Sequence, residues 1–326
     1  MMHQFRYLVT VLGLWLLSMT GCALAGPAVE GSFDRTLTVT GPVDLDISTG
    51  SGDIRIRAGS SSAVKVHGLI RARDDSNRRG EEKVRFLEAN PPIEQTGNTL
   101  RIGNIQDRSY SRNVSISFEL EVPVETRVKG NTGSGSLSVE GINGPLDGST
   151  GSGDVSASNI EGHVKVDTGS GSVTLHAVKG GAEADTGSGD VRASQIAGPF
   201  KADTGSGSIR LEQTAPGDVD VDTGSGDVEV HGVRGALKAD TGSGRITAGG
   251  EVSDKWKLSA GSGDIDVQLS SNAVFDLYAH TDSGTVKSDH PVTATGTFTP
   301  KEIRGKVRGG GPLMEIETGS GNIHIR

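Results

Sequence analysis

A Thr-Gly-Ser-Gly tetrapeptide starts at Thr132, Thr150, Thr168, Thr186, Thr204, Thr223 and Thr241, at intervals of 18 residues four times and then of 19 and 18. Ala260-Gly261-Ser262-Gly263 comes 19 residues later, then a degenerate Thr281-Asp282-Ser283-Gly284, a last copy at Thr318 and an isolated early one at Thr49. So regular and short a period belongs to a chain that winds, with one coil per repeat. No unit of this length buries its apolar face alone, so each coil must stack on the next.

Each unit reads as turn, strand, turn, strand. Between Thr150 and Asp167 the Gly-rich turn leads into Asp154-Val155-Ser156-Ala157-Ser158, a second turn at Asn159–Gly162, and a second strand from His163. Val155 and Ala157 face one way and the serines the other, the period-two signature of a half-buried strand. The inward pair recurs as Val173/Leu175, Val191/Ala193, Ile209/Leu211, Val228/Val230, Ile246/Ala248 and Ile265/Val267. The second strand contributes Val164/Val166, Ala182/Ala184, Phe200/Ala202, Val219/Val221, Leu237/Ala239 and Trp256/Leu258. Two inward rows closing over a thin core make a flattened coil.

The outward residues test the stacking. Three residues before each Thr stand Lys129, Asp147, Lys165, Glu183, Lys201, Asp220 and Lys238, with the sign reversing at every step. Just after each Gly-Ser-Gly come Ser136, Asp154, Ser172, Asp190, Ser208, Asp227, Arg245 and Asp264, with no two carboxylates adjacent. In parallel register equivalent positions lie about 4.8 Å apart. Like charges at that spacing repel by roughly 0.9 kcal/mol even in water. Both patterns therefore have a cause in stacked coils and none in separate hairpins.

The chain holds 49 glycines without a Gly-X-Y period, which excludes collagen, and the regular Val, Ile, Leu and Ala alternation excludes a solvated low-complexity tail. A net charge of −9 and the lack of a basic stripe argue against nucleic acid as a partner. Cys22 is the single cysteine, so no disulfide framework is expected.

Arg6 precedes an apolar run from Leu8 to Leu17, the length of a signal-peptide core and too short to span a membrane. Two processing readings stand side by side. Leu17-Ser18-Met19-Thr20-Gly21-Cys22 reads as a lipobox with Cys22 acylated, which gives an anchored protein and not a spanning one. Ala23-Leu24-Ala25 before Gly26 reads as a small-residue cleavage site that discards Cys22. Under either the mature chain is exported, to the periplasm or as an outer-membrane or cell-surface lipoprotein.

Residues 1–25 are thus a leader, 26–130 an irregular β-rich N-terminal cap with a first coil at Thr49–Ile56, and 131–326 the repeats, with 26–326 one continuous domain. In the cap, Leu37–Val39, Val43–Ile47, Val64–Ile70, Leu100–Ile102 and Val114–Val122 read as strands and Arg78–Leu87 as a short helix. Ala279–Gly311 breaks the period and reads as longer loops before a terminal coil, Met314–Ile325. Asn322–Arg326 is expected to leave a pairable strand at the end of the stack, a basis for self-association.

Val122-Pro123-Val124 leading into Thr132-Gly133-Ser134-Gly135-Ser136-Leu137, the following Gly-Asp-Val units and the closing Thr318-Gly319-Ser320-Gly321-Asn322-Ile323-His324-Ile325 resemble the bacterial Toastrack group of β-strand-repeat proteins, loosely described as envelope adhesins. The resemblance covers Phe33 to Arg326. It implies a right-handed, single-chain, β-helix-like solenoid and an exported location, and it brings no catalytic motif with it.

Asp-Thr-Gly-Ser occurs five times, from Asp167, Asp185, Asp203, Asp222 and Asp240. It is also the local signature of aspartic proteases, but those need two loops converging on a shared proton, and copies stacked in file do not converge. Each Asp is expected instead to accept hydrogen bonds from turn N–H groups as an Asx-turn. The sharper alternative is Ca²⁺ held by this file of carboxylates beside Thr and Ser hydroxyls. The calcium-binding nonapeptide repeat, however, places Asp two residues after its second spaced Gly, whereas here Asp follows it directly and only in alternate units. Thr and Ser also form potential parallel hydroxyl files of the kind seen in ice-binding solenoids. His176 and His231 share a repeat position about 14 Å apart, too far for one metal, and the histidines in general read as surface residues. The expected function is that of a non-enzymatic envelope protein without a cofactor, an adhesin or scaffold whose partner is an envelope protein or polysaccharide. A Ca²⁺-dependent or polysaccharide-acting β-helix is the alternative, and the latter needs acidic and basic residues clustered in a cleft.

Overall fold

Strands that alternate apolar and polar, two to a coil, sort their apolar sides onto one face each, and the two faces close on one another. The computed structural model describes residues 28–59, 62–74 and 77–326; the leader and Cys22 lie outside the described residues. Among the described residues two long sheets, of 14 and 15 strands, run the length of the molecule. The first strands of the repeats, from Leu137–Glu140 to Ile265–Leu269, build the first sheet, and the second strands, from Thr126–Thr132 to Trp256–Ser262, build the second. Pairing between repeats is parallel and in register: Leu175 lies between Ala157 and Ala193, and Lys165 between Asp147 and Glu183. Every inward pair read from the sequence is buried, with Trp256 and Phe200 the bulkiest of them. The chain is a β-solenoid, and no handed crossover other than the coil itself is needed to build it.

The turn between the two strands of a coil rests on one left-handed residue. Gly141, Asn159, Ala177, Gln195 and Gly232 occupy the same place with φ of 78°, 56°, 54°, 55° and 74°. That residue interrupts the alternation, so Ile160, Val178, Ile196 and Val233 turn inward and are fully buried at the corner.

The N-terminal end follows expectation. Val43–Thr49 and Ile54–Ala58 form a true first coil, in parallel register with Thr126–Thr132 and Leu137–Glu140. Val29–Thr38, Ala63–Ala72 and Val114–Val122 lie outside it as an antiparallel cap on the first sheet, and Thr99–Ile102 with Ile93–Thr96 cover the second. Helix Asn77–Ala89 packs Val84 into the space left by Gly31, where a Cβ would stand 2.3 Å from Val84 Cγ1. Lys83, largely buried there, pairs with Asp74 at 2.8 Å.

The C-terminal end corrects two expectations. Residues 279–311 are not long loops: Phe275–Ser283, Val292–Thr299 and Glu302–Val307 are antiparallel neighbours in the second sheet. Nor is the last coil the end of the stack. Leu313–Ser320 inserts between Trp256–Ser262 and Phe275–Ser283, and Ile323–Ile325 between Ile265–Leu269 and Val286–Ser288. The Ile323–Ile325 strand is paired on both sides, which removes the free terminal strand on which self-association was expected to rest.

Candidate functional site

The Gly-rich turn is where sequence and structure meet most closely. Asp167 follows Val164 and Val166 by odd steps and therefore faces out, while Thr168 faces in and is 1% exposed. Its hydroxyl donates to Gly153 O of the preceding coil at 2.9 Å and accepts from Gly171 N–H of its own turn at 3.1 Å. The same bridge recurs at Thr132, Thr150, Thr186 and Thr204. Threonine, then, closes the turn expected of the Asx-turn. Because these hydroxyls are buried and fully used, Thr and Ser do not form paired outward files; only the apical serines are exposed. The glycines serve close approach. Gly171 has no left-handed φ, yet a Cβ on it would stand 1.9 Å from Gly153 O.

A second inter-coil link lies just past the turn. Oδ1 of Asp154 accepts Ser172 N–H at 2.8 Å, Oδ1 of Asp190 accepts Ser208 N–H at 3.0 Å, and Oδ1 of Asp227 accepts Arg245 N–H at 2.8 Å. The Ser/Asp alternation thus avoids adjacent carboxylates and also ties coils in pairs.

Two rows cross the outer face of the second sheet. In one, the alternating charges pair as the register demands: Lys165 with Glu183 and Lys238 with Asp220, each at 3.1 Å. Hydrogen bonding to those carboxylates raises the pKa of both lysines. In the other, Asp167, Asp185, Asp203, Asp222 and Asp240 stand directly in register. Partial burial, and after it the neighbouring carboxylates, push Asp185 and Asp222 above the usual carboxylate range. Lys238 also reaches Asp240 at 3.2 Å. Among the described residues no group of three or more His, Cys, Asp or Glu side chains is arranged to hold a metal ion.

The outer face of the first sheet carries a cleft of about 500 Å³ that sequence reasoning missed. Arg192, Arg210 and Glu229 are successive members of one outward row. Arg210 pairs with Glu229 at 2.6 Å, Arg192 with Asp190 at 2.7 Å, and His231 donates from Nε2 to Glu229 at 3.0 Å. The His231 hydrogen bond, and next that of Arg210, hold Glu229 below the usual range. Arg245 lines the same cleft. The signal was present in the 18- and 19-residue spacing of Arg192, Arg210 and Glu229, a row left unread because the serine rows before it carry no charge. His176 and His231 share a row as expected, separated by Ser194 and Glu212. His290 is not a surface residue: it is 8% exposed and meets Phe275 edge-on at 5.9 Å.

A family model described as Toastrack DUF4097 matches residues 43–212 and 179–326, which together take in the first coil, the cap after its strand Val29–Thr38, and every repeat. The chain belongs to the Toastrack family. Three solved structures resemble this Toastrack chain. A "putative cell adhesion protein" from Clostridium sporogenes is 12% identical with a TM-score of 0.22, over 90% of this chain and 99% of that one. A "putative adhesin" from Bacteroides fragilis is 13% identical with a TM-score of 0.33, over 91% and 97%. A "putative lipid binding protein" from Parabacteroides distasonis is 14% identical with a TM-score of 0.39, over 90% and 96%. Comparison with curated proteins gave no match. Among the described residues of this Toastrack chain no helix is long and apolar enough to cross a membrane.

Proposed function

We propose that this Toastrack protein is an exported, non-enzymatic adhesive module of the cell envelope that holds a polysaccharide against the outer face of its first sheet. The observation that supports this most is the cleft of about 500 Å³ where Arg192, Arg210, Asp190 and Glu229 converge. Its guanidinium and carboxylate groups are already fixed by ion pairs at 2.6 and 2.7 Å, so a ligand meets donors and acceptors that are ordered before it binds. Such preorganisation lowers the entropic cost of association. Arg192, Arg210 and Glu229 follow one another in parallel register along the stack, which suits a chain-like ligand. The apolar run Leu8–Leu17 supports export, and acylation of Cys22 would tether the module to a membrane.

An envelope-glycan array followed by a product assay on each retained glycan tests the reading. Retention without new reducing ends or unsaturated products is expected, with retention weakened in Arg210→Ala. Turnover that is abolished in Glu229→Gln would establish a polysaccharide-acting enzyme in its place, since the cleft holds the acids and bases such chemistry needs. Mass spectrometry of the mature N-terminus separates an acylated Cys22 from a chain that begins at Gly26.

A further inference from the structure

The cleft on the first sheet is longer in one direction than in the other, and its charges cancel. Two outward rows line it, each over four successive coils. Asp190, Ser208, Asp227 and Arg245 make one row, and Arg192, Arg210, Glu229 and Thr247 make the other. Along the stack each row covers three strand spacings, about 14 Å, and Gln268 carries the lining one coil further. Along a strand the two rows are only two residues apart, about 7 Å.

Coil by coil the charge of the two rows runs zero, +1, −2 and +1. Asp190 balances Arg192 in the first coil, and Arg210 stands beside Ser208 in the second. Asp227 stands beside Glu229 in the third, and Arg245 beside Thr247 in the fourth. Three guanidiniums against three carboxylates leave no net charge while His231 is neutral. A polymer with a negative charge on every sugar is drawn to Arg210 and Arg245 but meets Asp227 and Glu229 between them. Arg245 is also held by Asp264 of the next coil at 3.6 Å. A polymer with a positive charge on every sugar meets Arg192 and Arg210, which are direct neighbours in register. A like charge at about 4.8 Å lowers affinity roughly fourfold even in water. A hydroxyl group both donates and accepts, so a neutral sugar is matched by carboxylate and guanidinium alike.

We propose that the cleft takes a neutral, extended, β-linked glycan that lies along the stack and across the strands, with about one sugar to each coil. This assignment rests on the reading of the cleft as a polysaccharide site and adds the charge, direction and length of what it holds. A pyranose in an extended β-linked chain advances by close to one strand spacing, about 4.8 Å. Successive sugars therefore keep pace with successive coils, and four of them fill the two rows. Each sugar lies between one residue of the first row and one of the second, where hydrogen bonds to ionised groups are the stronger kind.

Calorimetry on the full chain tests the assignment with β-1,4-linked oligomers of glucose, mannose and N-acetylglucosamine, two, four and six sugars long. The best series is expected to gain about tenfold or more from dimer to tetramer, and less than about threefold from tetramer to hexamer. Arg210→Ala should weaken its tetramer by about tenfold. Maltotetraose, whose α-linked chain coils away from a flat face, and tetramannuronate, with a carboxylate on every sugar, should each bind at least about tenfold more weakly. Asp227→Asn keeps an acceptor for Arg245 N–H and removes one charge. It should strengthen tetramannuronate by roughly fourfold at low salt, a gain that fades at high salt. Tetramannuronate or maltotetraose bound as tightly as the best neutral tetramer overturns the assignment, and so does tetramannuronate unimproved by Asp227→Asn. Affinity that stops rising at the dimer, the length that fits across the rows, overturns it too. Any of these results, with binding still lost in Arg210→Ala, leaves the cleft a polysaccharide site of another kind. No binding by any oligomer, or binding indifferent to Arg210→Ala, sinks the polysaccharide reading as well.

Discussion

At the scale of single residues, the stack is held by atoms that a hydropathy reading does not weigh. Thr168 Oγ1 links two backbone positions in a residue that is 1% exposed, donating to Gly153 O and accepting from Gly171 N–H. Thr168→Val keeps the shape and removes the hydroxyl, leaving a half-buried carbonyl and a buried N–H without that partner. Each unsatisfied group costs about 1–3 kcal/mol, so a loss of about 2–4 kcal/mol is expected in urea unfolding. Thr168→Ser, which retains both hydrogen bonds, should lose less than about 1.5 kcal/mol for the missing methyl. Equal losses in the two variants would show that the methyl, not the hydroxyl, matters. The role of this residue was legible in principle. Val164 and Val166 face inward, and the same period of two carried one step further puts Thr168 inward and Asp167 outward. The Asx-turn expectation followed the usual preference of Asp for turns and overlooked that Asp167 is still in the strand. The glycines were read as bends, whereas Gly171 answers to the carbonyl of the coil beside it, a contact no single repeat contains.

At the scale of strands and rows, the alternating Lys/acid row was legible because parallel register converts an 18-residue spacing directly into a neighbour relation. The aspartate file beside it runs against that logic and bears a cost. Asp222 stands between Asp203 and Asp240, and burial followed by those two carboxylates raises its pKa above the ordinary 3.8. A carboxyl raised in the folded state takes up its proton more readily there than in the unfolded chain, so its ionised form destabilises the fold. The penalty is complete above the raised value, and it disappears as pH falls through that value toward 3.8. Asp222 is exposed, so solvent screening leaves a small effect: Asp222→Asn should therefore stabilise the protein at pH 7 by roughly 0.5 kcal/mol at low salt, with less gained at high salt. The advantage should vanish near pH 4. Glu229 and Glu315 behave oppositely: their lowered values mean that the stability from their His231 and Lys255 partners is present at neutral pH and lost on acidification below the ordinary range. Melting curves of parent and Asp222→Asn at both pH values check the sign. A variant no more stable than its parent at pH 7 and low salt would mean that the file is already neutralised by Lys238 and its neighbours.

At the scale of the whole molecule, chain order and stack order part company, and spacing alone could not have shown where. The coil of Phe275–Ser283 is made before that of Leu313–Ser320 yet lies outside it. The reason is in the turns. In every stacked turn a Cβ on the first Gly would stand between 2.2 Å, as at Gly133, and 2.7 Å, as at Gly319, from a carbonyl oxygen of the adjoining coil. Thr281-Asp282-Ser283-Gly284 carries Asp282 at that position, so it fits only where the coil is free to move outward. Thr318-Gly319-Ser320-Gly321 has both glycines and takes the inner place, with Thr318 Oγ1 bridging to Gly263 O at 2.9 Å. The inner coil also buries Met314, Ile316, Ile323 and Ile325 almost completely. A chain ending at Pro312 should then lose its outer coil along with its inner one. Amide exchange in residues 275–307 should become unprotected, while residues 126–248 keep their protection, because stability in a stacked solenoid passes only between neighbours. Restoring the glycine by Asp282→Gly in the same shortened chain should let Phe275–Ser283 dock straight onto Trp256–Ser262 and recover protection. If the shortened chain protects residues 275–307 with Asp282 still in place, the order of the last two coils is set by the length of the connection between them and not by the fit of their turns.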